Sequence, residues 1–128
     1  MTSPCGRYAA LYRPYHLIGL ELGVSVASAA LRGEATGAPD GWRGDVAATA
    51  KRALAAGEML DGEGGHCVYG RLVRASHAQT EGLLPIGLAT GVRLRRPMAA
   101  DALLTLADVD LDPQSPVLAL RAEMRPAA

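Results

Sequence analysis

The sequence predicts a mainly β domain with a pseudo-two-fold repeat, preceded by an N-terminal α-helical arm. Three observations lead there. Residues 51–60, KRALAAGEML, return 44 positions later as RRPMAADALL at 95–104. Lys51-Arg52 answers to Arg95-Arg96, Leu54 to Met98, and Met59-Leu60 to Leu103-Leu104. Such self-similarity fixes architecture before local propensity does. Second, each copy follows a short apolar stretch and carries a small-residue turn before a second apolar pair, which reads as strand, tight turn and return segment used twice. Third, one helix-like stretch, 16–32, stands ahead of a turn-rich linker at 33–45 with four glycines and a proline.

The elements follow in order. Residues 1–15 read as irregular, with three Tyr and two Pro. Residues 16–32 read as a helix that starts after Pro14 and stops at Gly33, a residue suited to the left-handed position past a helix end. Gly19 and Gly23 weaken it by roughly 1 kcal/mol each relative to Ala, or else let another backbone approach closely. Its polar residues Glu21, Ser25, Ser28 and Arg32 make one narrow stripe, and aliphatic residues cover the rest. A helix apolar around that much of its circumference needs burial on several sides, more than the following β region can supply.

Val46–Lys51 reads as the first strand, Gly62, Gly64 and Gly65 as a turn, and His66–Ala75 as the second strand. Residues 76–82 read as a polar loop, and Leu83–Ala89 with Pro85 as a short buried segment or edge strand. Val92–Arg96 alternates with Val92 and Leu94 inward and Arg93 and Arg95 outward. Residues 105–108 can form a single turn leading to Val109 and Leu111, and Val117–Arg121 reads as a last strand. The organisation is therefore an arm and linker over 1–44, a β domain over 45–124, and a disordered tail over 125–128.

Bulk properties exclude several classes. The formal net charge is zero, from 13 basic and 13 acidic residues, so nothing draws the chain to nucleic acid or an anionic membrane. No apolar run approaches the ~20 residues that cross a bilayer. Two cysteines, Cys5 and Cys67, make no disulfide framework, and a reduced, cytoplasmic setting is expected.

Tests for chemistry return little. DGEGG at 61–65 leads into a strand, not a helix, so a hairpin turn explains its glycines better than a phosphate cradle. Cys67 and His66 with His16, His77 or Cys5 show no metal-ligand spacing. Cys67 with His16 or His77 is also a weak catalytic pair, and a packed Cys67 beside a solvated His66 accounts for both. No residue is assigned a catalytic, cofactor-binding or metal-binding role. Arg93, Arg95 and Arg96 with Arg71 and Arg74 are read as solvated strand faces paired to Asp101, Asp108 and Asp110. The most function-like cluster is Tyr12-Arg13-Pro14-Tyr15-His16. Arg13, Tyr15 and His16 could recognise an anionic substrate, or could staple the arm onto a neighbouring domain.

The stretches YRPYHL, GLELGVSVASAALRGEATGAP, VAATAKRALAAGEMLDGEGGHCVYG and LLPIGLATGVRLRRP together resemble a known group. They look like the C-terminal part of homoserine-dehydrogenase-like NAD(P)H oxidoreductases, the group that includes the 1-deoxy-D-xylulose-5-phosphate reductoisomerase-like enzymes. Residues 45–124 resemble the SAF domain, the β-clip fold shared with type III antifreeze proteins, the sialic acid synthase C-terminus and flagellar P-ring chaperones. Its most typical stretch is Lys51–Leu60. Two departures stand out. Asp101 occupies a position where the family usually has Gly, a substitution that Asp tolerates better than most residues. The Rossmann domain on which hydride transfer depends is not in this sequence. The resemblance thus implies a truncated or split C-terminal part, not catalytic alone, which supports substrate binding or assembly with Tyr15 and His16 lining the parent cleft. NADP(H) is implied for the complete enzyme only. The implied partner is a chain carrying the Rossmann domain, or a second copy joined through the helical arm. The alternative is a free-standing SAF module that binds a small carbohydrate-like ligand or a protein.

Overall fold

The structure, a computed structural model, describes residues 2–126 and divides into two compact units, Met1–Pro39 and Asp40–Ala128. In the first unit, Thr2 and Ala9 form an antiparallel bridge around a turn closed by the Ser3 N–H on the Tyr8 carbonyl, at 2.8 Å. α1 runs Ile18–Ala27 and continues as a π-helical turn, Ser28–Arg32. Gly33 ends it at φ 67°, the left-handed stop expected from the sequence. The start falls two residues later than predicted, because Leu17 at the cap takes φ −103°, ψ 78°, outside the helical region. No residue of α1 is buried; Leu20 is 69% exposed and Val24 65%.

The second unit mixes small sheets with helices. β1 (Gly44–Ala50) pairs antiparallel with β3 (Val68–Arg74), and β2 (Met59–Asp61), β4 (Thr90–Leu94) and β5 (Val109–Asp110) form a three-stranded sheet in the order β2-β4-β5. Ile86–Leu88 and Leu106–Asp108 are single 3₁₀ turns. The second of these is the turn expected before Val109, and it begins with a capping box in which Thr105 and Asp108 exchange side-chain bonds.

Two elements differ from the sequence reading, so "mainly β" describes the unit's core better than the whole. Residues 76–82 are not a loop: α2 spans Ala75–Thr80, with Ala75 and Ala78, three apart, buried on one side. Residues 117–121 are not a strand: α3 spans Pro116–Glu123. Ser115 precedes it and Pro116 opens it, where the fixed φ of proline suits a first turn and its missing N–H costs nothing. The four-residue apolar run Val117–Leu120 carries no period that separates strand from helix, and the Leu and Ala within it favour helix. Of the tail, residues 127 and 128 lie outside the described residues, while Pro126 bridges Trp42 in parallel.

The two repeat copies meet in the core. Leu54 and Met98 exchange both N–H···O bonds, each 2.9 Å. The Gly57 N–H donates to the Leu94 carbonyl at 2.8 Å, and the Asp101 N–H to that of Ala50 at 2.9 Å. The Ala50 N–H reaches the Ala102 carbonyl, and the Leu94 N–H that of Glu58, both at 2.9 Å. Each bond has its counterpart at the 44-residue offset. Leu54 with Met98, Ala50 with Leu94, and Leu60 with Leu104 are all buried in one apolar cluster that also takes Val68, Leu84 and Val109. Outside this clasp the halves differ: β1 and β3 are seven residues each, β5 only two. Among the described residues, no helix is long and apolar enough to cross a membrane.

Candidate functional site

Within the first unit, the three predicted ligand-binding residues come together around one acid. Arg13 lies 3.0 Å from Glu21 Oε1, and His16 Nδ1 lies 2.8 Å from Glu21 Oε2. The Arg13 guanidinium sits 5.2 Å from the centre of the Tyr15 ring. Arg13, Tyr15 and Glu21, with Leu17, Leu20 and Val24, line a shallow hollow beside α1. Glu21 was legible only as part of the helix's polar stripe. Its position on the first turn lets it receive both basic side chains arriving from 13–16. With that carboxylate beside them, Arg13 and His16 present an approximately neutral cluster, less suited to capturing an anion than the isolated residues suggest.

In the second unit, the basic side chains of the repeat are also pinned. Arg52 bonds Glu58 at 2.5 Å, and Arg96 bonds Asp108 at 2.5 Å. Arg95 pairs with Asp110 at 2.7 Å. Arg93 donates to the Gly57 carbonyl, and Lys51 to that of Gly65. Arg71 donates to the Tyr69 hydroxyl at 2.9 Å, and that hydroxyl lies 3.2 Å from Asp101 Oδ1. Of the arginine strip, Arg71, Arg93, Arg95 and Arg96 are thus held by acids, a hydroxyl or carbonyls of the same unit.

The acids in these clasps are held ionised. The Arg52 guanidinium and the Ala55 N–H lower the Glu58 carboxyl. Burial alone would raise Asp108, but bonds from the Thr105 backbone, Arg96 and the Thr105 hydroxyl outweigh it, and its carboxyl sits below the usual range. Asp61 is held at about 2, chiefly because it accepts the backbone N–H groups of His66 and Cys67.

That last arrangement bears on the glycine loop at 61–65. A phosphate cradle needs loop N–H groups left free at a helix start. Here the Asp61 carboxylate already takes two of them, and the glycine loop opens into β3. This glycine loop therefore does not fit a phosphate cradle. Cys67 is buried and points into the Arg52–Glu58 clasp, with its sulfur 3.7 Å from Arg52 and 3.9 Å from Glu58. Burial, then the Asp61 bond, push its thiol up, opposite to the shift an activated nucleophile needs. His66 beside it is exposed, so the pairing expected for a packed cysteine and a solvated histidine is what the fold makes.

One grouping escaped the sequence reading. Arg121 on α3 pairs with Asp45 at the start of β1 and lies 5.0 Å from the centre of the Trp42 ring. The two partners stand 76 positions apart, and no local pattern announces them. A cleft of about 180 Å³ opens beside them, lined by Trp42, Gln79, Leu83, Leu106, Leu118 and Arg121 among others.

Comparison with known families supplies the frame for these features. The family pattern of the SAF domain matches residues 45–110, just over half of the chain. No curated protein matches the sequence. The matched segment holds every strand but the first residue of β1, the complete repeat clasp and the whole apolar core. This chain belongs to the SAF domain family.

Proposed function

We propose that this chain is an assembly module: a SAF domain serving as the C-terminal part of an NAD(P)H-dependent oxidoreductase and not catalytic alone. The observation that carries the proposal is α1, a ten-residue helix with no buried residue and with Ile18, Leu20, Leu22, Val24 and Val26 all exposed. Exposed apolar surface of that kind marks an interaction site. Gly19 and Gly23 add to this, because a Cβ built on either meets nothing within 4 Å. Each glycine costs the free helix roughly 1 kcal/mol, a cost offset where a second backbone packs against it. The oxidoreductase part of the reading draws on the resemblance carried by YRPYHL and the stretches after it. On that reading, NADP(H) belongs to the Rossmann-fold partner. Arg13, Tyr15 and His16 then contribute to the substrate side of the shared cleft as one cluster with Glu21. The same-offset hydrogen bonds between the repeat copies support a pseudo-two-fold β-clip as the rigid support. The free thiols of Cys5 and Cys67 accord with a reducing, cytoplasmic setting.

Hydrogen exchange on the purified chain, alone and with the purified Rossmann-domain chain of such an oxidoreductase, tests the proposal. The α1 amides are expected to exchange freely alone and to gain protection in the mixture. NADPH turnover by the isolated chain, or equal α1 protection in the isolated monomer, would overturn it. Saturable binding of a small ligand by the monomer with α1 unprotected in both samples would favour the free-standing module instead.

A further inference from the structure

We infer that the open edge of β3, from Gly70 to Arg74, is a docking site for an extended acidic peptide segment that joins the sheet as an added strand. This edge lies wholly in the second unit and is separate from the assembly role of α1, so either can fail without the other.

The hydrogen bonds of β1 reveal which groups of β3 face outward. The Ala48 N–H donates to the Leu84 carbonyl at 2.8 Å, and the Ala48 carbonyl accepts the Leu104 N–H at 2.9 Å. Ala50 makes the equivalent two bonds with Ala102 and Asp101, both at 2.9 Å. Both residues thus spend their backbone groups away from β3. Their cross-strand neighbours Gly70 and Val68 therefore turn their own groups away from β1. Leu72 follows them by the two-residue period of a strand. Val68 is fully buried, so the open stretch begins at Gly70. The N–H and C=O groups of Gly70 and Leu72 have no hydrogen-bond partner among the described residues.

Such an edge is a template for a further strand, and folds commonly blunt it with a bulge, a proline or a covering segment. β3 has no proline, and it pairs with β1 in one register over all seven residues. Its side chains also offer a seat. Leu72 is 77% exposed and Val46 beside it 40%. Gly70 keeps this strip low, since a Cβ there would lie 2.5 Å from Val46 Cγ1. An added strand takes up the free backbone groups and covers the strip with one apolar residue.

Charge decides the occupant. β3 carries Arg71 and Arg74 and no acid. The Arg74 side chain has no partner among the described residues. The two arginines belong to opposite faces of the strand. A segment with acids three positions apart and an apolar residue between them therefore meets both guanidinium groups and Leu72. A second copy of β3 is a poor match. The register that joins Gly70 to Leu72 on both strands sets Arg71 against its own counterpart, and like charges directly opposite repel. Shifting by two residues runs the pairing into Arg74, the cap of α2.

The test titrates the isotope-labelled full chain with the capped peptide TETVETV and with its lysine counterpart TKTVKTV, following backbone amide shifts by NMR. Saturable shifts at Gly70 and Leu72 with the acidic peptide, weakening as salt rises, are expected. The lysine peptide should move neither amide. Arg74→Glu should weaken the acidic peptide about fivefold, the size of one exposed ion pair, and let the lysine peptide bind. Leu72→Pro removes an outward N–H and spares the ladder to β1, so it should abolish binding while the circular dichroism melt stays cooperative. Equal binding of the two peptides, or acidic-peptide binding unaffected by both variants, would overturn the proposal. Concentration-dependent shifts of the same amides without peptide would give the edge to a second copy and overturn it too, as would no saturable shift with either peptide.

Discussion

The two repeat copies have the same backbone task and solve it with different side chains. Gly57 and Asp101 occupy equivalent turn positions and both take the left-handed conformation, at φ 81° and 63°. For glycine this is free; for an L-residue the left-handed region costs roughly 1–2 kcal/mol, less for Asp. Asp101 is the one non-glycine residue with positive φ among the described residues, and its carboxylate is anchored by the Tyr69 hydroxyl. The copies differ likewise at their arginines. Arg52 meets an acid from its own return segment, Glu58, whereas Arg96 reaches beyond the copy to Asp108 in the following turn. Backbone geometry is the shared requirement, and side-chain support is supplied locally by whatever the sequence holds nearby.

Breaking one copy should cost more than altering the other. The largest effect is expected just past the first copy. Gly62 has φ 74°, and a Cβ there would lie 2.0 Å from the Thr90 hydroxyl oxygen. Gly62→Ala should destabilise the domain by about 3 kcal/mol, combining left-handed strain with overpacking. Urea unfolding would measure it, and a loss under ~1 kcal/mol would contradict the packing described. Next, Gly57→Ala should cost about 1–2 kcal/mol, because nothing lies within 4 Å of the new Cβ and only the backbone objects. Asp101→Gly should change stability by less than ~1 kcal/mol, since relieved strain offsets the lost Tyr69 bond. Equal losses for the last two variants would remove the distinction between the copies.

The turn just past the first copy offers a test that is read in the pH dependence of stability. Asp61 titrates at about 2 in the folded chain against 3.8 for an ordinary Asp. Its folded value is depressed, so the unfolded chain binds more protons between these limits. The stability it contributes is present above about pH 4 and is lost as pH falls toward 2. Asp61→Asn should flatten that part of the urea stability profile, while the contributions of Glu58 and Asp108 persist. A profile unchanged in the variant would mean that the Asp61 carboxylate does not hold the turn.

What could be read in the sequence follows the range of the interactions concerned. The repeat, the strands around it, the Gly33 stop and the turn before Val109 depend on neighbours a few positions apart, and their spacing announces them. α2 escaped because Ala75 and Ala78 are too small to mark a face within a polar string, although two buried methyl groups seat it. α3 escaped because Val117–Leu120 has no strand or helix period of its own, so the decision fell to Ser115 and Pro116. The cluster of Arg13, Tyr15 and His16 was visible as a local string, but its neutralisation by Glu21 needed the helix start to be placed. The clasp of Trp42, Asp45 and Arg121 joins the two ends of the unit, and pairing of that range leaves no trace in local pattern.

That clasp has an architectural consequence. With Trp42 bridged to Pro126 and Arg121 tied to Asp45, the two ends of the second unit meet at one spot. A unit whose ends meet can be spliced into a surface loop of a host, or have its own order of segments rotated, without opening its interior.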